Sequence, residues 1–342
     1  MSPAIKTAAQ LEELLSEPSA GAIEAMGRLE GDLLLLGVAG KMGPSLARMA
    51  KRASELAGIS RRIAGVSRFS GATRESELQS HGIETIRCDL LDEDAAQKLP
   101  DFPNVIYLAG MKFGATGQES LTWAMNTYVP AVICRKFSRS KIVAFSTGNV
   151  YGLVPAATGG SVETDPAYPI GDYAMSCLGR ERMFEHFSRV SKIPVALIRL
   201  NYACELRYGV LVDLALQIMS DKPVDLSMGW FNIIWQADAC AMALQCFDRT
   251  ASPPGLINVT GPEVLSVRDA SEKLARRMHR PVSFTGVEAS TALLSNAQAA
   301  FRFFGRPRVS ADELITWVAD WVANGGATLG KPTHFESREG KF

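Results

Sequence analysis

Apolar residues in this chain come in short unbroken runs, separated by longer stretches with helical spacing. LLLLGVAGKMG follows Gly31-Asp32. Further runs are RIAGVSRF (62–69), IETIRCDL (83–90), NVIYLAG (104–110), KIVAFSTGNVYG (141–152) and PVALIRLNY (194–202). Residues 44–57, 92–99, 119–137 and 172–190 lie between these runs and read as helices. Strands that are apolar throughout need cover on both faces, and alternation with helices supplies it. The pattern predicts an α/β chain with a doubly wound parallel sheet and right-handed crossovers. Ahead of it, Ala8, Leu11, Leu14 and Leu15 stand at helical spacing until Pro18, and Ser19 is placed to cap a second short helix. We read residues 1–30 as a helical arm that covers a sheet edge or meets another subunit. Residues 31–202 form the main domain, with later elements returning to it from 230–260. Residues 203–330 are mainly a smaller C-terminal substrate lobe, and 331–342 a polar tail.

Composition narrows the classes. The 342 residues hold 36 basic and 36 acidic side chains and are 47% hydrophobic. A large core is affordable, and there is no cationic excess to attract nucleic acid or anionic lipid. The local cluster Arg276, Arg277, His279 and Arg280 reads as a solvated helix face. Six cysteines without a C-x-x-C pair and four scattered histidines give no zinc pattern, and free thiols suit a reducing compartment. No apolar run reaches the roughly 18–20 residues of a membrane span, and the first residues lack a basic leader. The expectation is a soluble cytoplasmic protein with no metal, nucleic-acid or membrane partner.

Candidate chemistry begins at Gly37, Gly40 and Gly43, a G-x-x-G-x-x-G between the first strand and a helix. That context makes a tight turn, a close backbone approach and a helix N-terminus aimed at a pyrophosphate. It makes the sheet Rossmann-type. Lys41 and Met42 belong to the same turn. Ser67 and Arg68 end the second strand, where an acid would select NAD. A hydroxyl beside a guanidinium instead suits a 2′-phosphate, with Lys41 adding charge close by. NADP is the expected cofactor, with NAD still open.

The chain then resembles the extended short-chain dehydrogenase/reductases, the NAD-dependent epimerase/dehydratase family. The resemblance rests on the glycine turn, Cys88-Asp89-Leu90, YLAG at 107–110, Asn126, FSTGNVYG at 145–152, Tyr173, WQADACAMAL around Asp238, and INVTGPE at 257–263. It covers roughly residues 32–323. It implies that Asp89 and Leu90 contact adenine, that Leu108, Ala109 and Gly110 line the middle of the cofactor, and that Asn126 fixes backbone. LAGMKFG at 108–114 looks locally like UDP-galactose 4-epimerase, which implies Lys112 near the nicotinamide ribose. Members of the family use a tyrosine as acid/base, a Ser/Thr hydroxyl to orient the substrate oxygen, and a lysine four residues after the tyrosine. Tyr173 and Thr147 align with the first two, Ser146 being the weaker hydroxyl. The resemblance also leaves open a homodimer through the helices after the fourth and fifth strands.

The lysine position holds Cys177. Bringing a phenol from a pKa of about 10 to about 7 takes roughly 4 kcal/mol of preferential phenolate stabilisation, which a thiol does not supply. Three readings stay open. Another cation replaces the lysine, Lys112 first and Arg180 second; or neutral tyrosine works as the acid; or catalysis is lost and an NADP-binding sensor or scaffold remains.

On the substrate side, Thr147, Asn149, Asn201 and Arg207 are the candidate ligands. Asn201 follows Arg199 in a pattern resembling the family's Arg-x-x-Asn, one residue short. Gly148-Asn149 replaces the acidic pair of the dehydratases. DLSMGWFNIIWQAD (225–238) lacks the arginine that nucleotide-sugar binders carry there. The expected partner is a small-molecule substrate, a sugar, sugar acid or other hydroxy/keto compound, converted by hydride transfer. A nucleotide-sugar epimerase is the alternative.

Overall fold

The structure is a computed structural model that describes residues 5–112 and 117–340. Two helices, α1 (Ala8–Leu15) and α2 (Ala20–Arg28), lead into a seven-stranded sheet. Its strands are β1 (Leu33–Leu36), β2 (Ile63–Ser67), β3 (Glu84–Arg87), β4 (Asn104–Tyr107), β5 (Lys141–Thr147), β6 (Val195–Leu200) and β7 (Gly255–Val259). Their order is β3-β2-β1-β4-β5-β6-β7, and every neighbouring pair is parallel. This is the Rossmann-type doubly wound fold. The chain reverses direction across the sheet between β1 and β4, where such sheets open a crevice beyond their carboxyl ends. Period-two alternation explains the run of four leucines: Leu33 and Leu35 enter one core layer, Leu34 and Leu36 the other.

Crossover helices cover both faces. They are α3 (Gly43–Leu56), α4 (Ala72–Ser80), α5 (Glu93–Gln97), α6 (Glu119–Trp123), α7 (Val129–Lys136) and α8 (Gly171–Ser191), with a π turn at Ala124–Tyr128 joining α6 to α7. The C-terminal lobe adds α9 (Val210–Met219), α10 (Gln236–Gln245), α11 (Val267–Met278), α12 (Gln298–Phe304) and α13 (Ala311–Ala323). Two-stranded sheets, four among the described residues, stitch it together, one of them Trp230–Phe231 against Leu265–Ser266. Asp238 fixes the lobe: its buried carboxylate accepts the Arg308 and Val309 N–H groups and the Arg308 guanidinium. Arg277 and Lys273 are paired with Asp320 and Asp312, as a solvated face would be. No helix among the described residues is long and apolar enough to cross a membrane.

Two expectations change. The arm does not cover a sheet edge. Leu11, Leu15 and Met26 are fully buried, α2 packs on α3 and α10, and Glu13 pairs with Arg48 and Arg52. Nor is the closing segment a free polar tail. Thr333 and Phe335 are buried. Thr333 donates to Asp213 through its N–H and hydroxyl (2.8 and 2.6 Å), and the Phe335 ring lies 6.1 Å from that of Phe231. Arg338 donates to the Thr291 carbonyl and hydroxyl at 2.7 Å each and to the Ser227 carbonyl. Residues 327–340 form a strap across the lobe because these few contacts reach partners far back in the chain.

Candidate active site

The glycine turn is built by close approach. Gly37 has φ +87°, and a Cβ there would come within 2.7 Å of the Ala109 amide nitrogen. Only glycine lets β1 turn this tightly against the end of β4. The helix α3 then starts at Gly43 with Pro44 in its first turn, and Met42 at its N-cap gives it no side-chain acceptor. An uncapped helix start beside a glycine cradle fits a dinucleotide pyrophosphate. Two adjoining cavities meet here, sharing Gly37, Gly40, Leu108 and Gly110. One, of about 270 Å³, is lined by Ser67, exposed Arg68, Asp89, Leu90 and Ala109. The structure thus brings together residues that the sequence reading gives to the adenosine end (Ser67, Arg68, Asp89, Leu90) with Ala109, given to the middle of the cofactor. Asp89 also holds its own turn, accepting from the Leu91 N–H.

Lys41 departs from expectation. Its ammonium donates to the Ala203 carbonyl at 2.8 Å and lies 3.5 Å over the Tyr208 ring, in the other cavity. The turn directs this side chain toward the lobe, so it adds no charge beside Arg68. Burial lowers its pKa to about 8.

That second cavity, of about 250 Å³, holds Met42, Gly43, Lys112, Thr147, Asn149, Tyr173, Arg180 and Asn201. Thr147 ends β5, and Tyr173 stands in the first turn of α8. The Tyr173 phenol hydrogen-bonds the Thr147 hydroxyl and the Cys177 thiol. Burial pushes the phenol well above its usual range. The Cys177 side adds to that, while Arg180 and the Thr147 hydrogen bond pull it back. Cys177 is fully buried and burial raises its pKa too, so it stays a neutral thiol and no nucleophile.

Two cations stand near the phenol. The Lys112 ammonium is 5.8 Å from the Tyr173 ring centroid and donates to the Thr333 carbonyl at 3.3 Å, and burial lowers its pKa to about 8. Phe113 and Gly114 of the LAGMKFG segment lie outside the described residues. Arg180 is buried and donates to the Phe145 carbonyl (2.8 Å) and to Asn126 Oδ1 (2.6 Å). Its guanidinium fits because residue 110 is glycine; a Cβ there would meet Nη2 at 2.3 Å. Asn126 also clamps the Met111 backbone by donating to its carbonyl and accepting from its N–H, the backbone role expected of it.

Both hydroxyls at the end of β5 line the cavity and both are engaged: Thr147 donates to Asn149 Oδ1 and accepts from the Asn149 N–H, each at 3.2 Å. Ser146 donates to Glu181 at 2.6 Å, and Glu181 is locked to buried Arg199. Asn201 donates to Asn232 at 2.6 Å and still lines the cavity. Arg207 does not line it. Its guanidinium is held by Glu12 (2.7 Å) and Glu205 (3.1 Å), because the arm brings a carboxylate that sequence distance concealed. Tyr202 and Thr333 line the cavity without having been singled out in the sequence, and Tyr208, beside Arg207, lines it too. No motif spacing marks them; the loop after β6 and the strap bring them in. Among the described residues no cluster of three metal-binding side chains occurs.

Residues 33–204, about half the chain, match the model of the NAD dependent epimerase/dehydratase family. The chain belongs to that family. A search of curated proteins gives no match. Similar solved structures include a UDP-glucuronic acid 4-epimerase from Bacillus cereus in complex with UDP-glucuronic acid and NAD, at 19% identity and TM-score 0.71, covering 86% of this chain and 99% of that one. A dTDP-glucose 4,6-dehydratase from Bacillus anthracis with NAD is 15% identical, TM-score 0.71, over 86% and 97%. A UDP-glucose 4-epimerase from Thermotoga maritima with UDP-glucose is 15% identical, TM-score 0.68, over 86% and 99%. At these identities the likeness speaks for the fold. By description each of the three is a nucleotide-sugar enzyme.

Proposed function

We propose that this member of the family is a nicotinamide-dependent enzyme that transfers hydride at a carbinol or keto carbon of a sugar-type substrate. The observation that carries the reading is the meeting of Tyr173 and Thr147 in one cavity with the glycine turn. Bound NAD or NADP would supply the hydride acceptor and donor. Gly37, Gly40, Lys41, Met42, Gly43, Leu108 and Gly110 would hold its central part, and Ser67, Arg68, Asp89, Leu90 and Ala109 its adenosine end. Thr147 orients the substrate oxygen. Tyr173 moves the proton at that oxygen, resting as the neutral acid because its phenol is buried. Lys112 takes the electrostatic part of the absent lysine, with Arg180 as a second, permanent charge. Asn149 and Asn201 face the substrate. Arg207, committed to Glu12 and Glu205, leaves the ligand set.

Relatives of known structure support a nucleotide-sugar epimerase as the substrate reading. The small-substrate reading has one observation of its own: the strap's Phe335 and Arg338 cover residues 227–231 of the stretch that lacks the usual arginine. Fluorescence titration with NADH and NADPH tests the site, and Tyr173→Phe tests the chemistry. The variant should keep coenzyme affinity and lose about 10²–10⁴-fold in turnover on a sugar, sugar-acid and UDP-sugar panel. Failure to bind either coenzyme overturns the reading. Tight binding with no turnover on any panel member leaves the sensor alternative.

A further inference from the structure

Lys112 stands in a loop, outside any helix or strand. A lysine four residues after the tyrosine would be directed by the helix that carries both. Lys112 reaches toward the Tyr173 ring, 5.8 Å away, from the end of β4 with no helix behind it. Its backbone is secured on one side, where Asn126 clamps Met111. The long, flexible stem beyond that point still has to be fixed, or the charge would spread over several rotamers.

The strap supplies what the loop lacks. The Lys112 ammonium donates to the Thr333 carbonyl at 3.3 Å. That residue is itself held: its N–H and hydroxyl both donate to the same carboxylate oxygen of Asp213 on α9, at 2.8 and 2.6 Å. The hydroxyl also accepts from the Phe335 N–H at 3.2 Å, and Thr333 is buried. The strap is tied on either side of this point. Upstream, the Leu329 N–H donates to the Arg207 carbonyl at 2.9 Å. Downstream, Gly340 lies so close to the start of α8 that a Cβ on Gly171 would come within 2.5 Å of its carbonyl oxygen. Tyr173 is two residues further along that helix. One segment therefore touches the loop after β6, α9, Lys112 and the tyrosine helix. Burial lowers the Lys112 pKa, and the Asp213 and Glu336 charges are among those that oppose the fall.

We propose that Thr333 is a positioning residue for the reaction: fixed by Asp213, its carbonyl holds the Lys112 ammonium against Tyr173. It acts through Lys112. The proposal rests on the part given to Lys112 in the reading above, and the test separates the two.

The test uses the full chain, and its first arm needs no substrate. Wild type, Thr333→Val and Thr333→Ser are pulsed with acetic anhydride, and acetylation of each lysine is read by mass spectrometry. Thr333→Val removes the 2.6 Å hydrogen bond to Asp213 at nearly constant volume, and Thr333→Ser keeps it. Lys112 should acetylate about tenfold faster in Thr333→Val, the factor that one lost hydrogen bond of ordinary strength corresponds to, and at the wild-type rate in Thr333→Ser. Lys41, which donates to Ala203 instead, and exposed Lys222 should not change. An unchanged Lys112 rate, or an equal rise at Lys41, would overturn the proposal. Should Thr333→Val melt too low for study, Asp213→Ala removes the acceptor from the other side and carries the same expectations.

The second arm measures turnover on the panel above. Thr333→Val should lower kcat about tenfold, with KM and NADH affinity within about twofold of wild type. In a Lys112→Met background it should cost less than about twofold, because both changes remove one interaction. An equal cost in the two backgrounds would overturn the proposal. Full turnover by Lys112→Met would instead strike the role given to the lysine and leave the acetylation result standing. Where no panel member turns over, acetylation alone decides.

Discussion

The two ends of the crevice are built in opposite ways. At the end lined by Ser67 and Asp89, Arg68 is exposed on the rim, and residues following β1, β2, β3 and β4 form the walls. At the Tyr173 end the charged groups are interior: Arg180 is buried, and burial brings both Lys41 and Lys112 to a pKa of about 8. An exposed cation is screened and adaptable. A buried one acts strongly on its neighbours and must be held in place, as Arg180 is by Asn126 and Phe145. Recognition of the coenzyme is therefore expected to tolerate change at Arg68, whereas the chemistry is expected to be brittle around Lys112.

The sharpest way to break that comparison is Lys112→Met. Turnover should fall about 100-fold, with coenzyme affinity nearly intact. The pH profile carries a sign. The Lys112 charge is present below about pH 8 and is lost as pH rises through that value. The part of turnover that depends on it should fall along the same alkaline limb, and Lys112→Met should abolish the limb. Lys41→Met should keep it, which separates the two lysines of similar pKa. If Lys112→Met leaves rate and limb untouched, Arg180 is the cation that matters.

A smaller effect is expected at the rim. Arg68→Ser should weaken NADPH by about tenfold and NADH hardly at all, measured by fluorescence titration, since one charge-assisted contact to a 2′-phosphate is at stake. Equal weakening of both coenzymes would mean that Arg68 stacks on adenine instead. The least change is expected for Cys177→Ser, with turnover within about threefold of wild type, because a neutral buried thiol has no covalent task. Loss of turnover there, with the melting temperature retained, would bring the nucleophile back into consideration.

The sheet was legible because its strands are buried on both faces and read as continuous apolar runs, LLLL most plainly. Helix α4 was not, since ATRESELQS buries little beyond Leu78 and shows no apolar stripe. The glycine turn could be placed by its spacing between strand and helix, and Thr147 and Tyr173 by the resemblance to the family. Spacing does not say where a side chain points, and Lys41 was assigned to the wrong cavity for that reason. Arg207 was misread because its partner Glu12 lies in the arm, nearly two hundred residues earlier. Tyr202 and Thr333, which line the cavity, were missed because the loop after β6 and the strap carry no motif.

The strap sets the order in which the molecule can be completed. The coenzyme-side architecture needs only residues up to β6 and its close neighbours, all made early in synthesis. The roof over Lys112 needs Thr333, and its anchor needs Arg338. A nascent chain could thus hold a finished nucleotide cradle while its reaction chamber still stood open to water. Only the arrival of Thr333 and Arg338 would shut it.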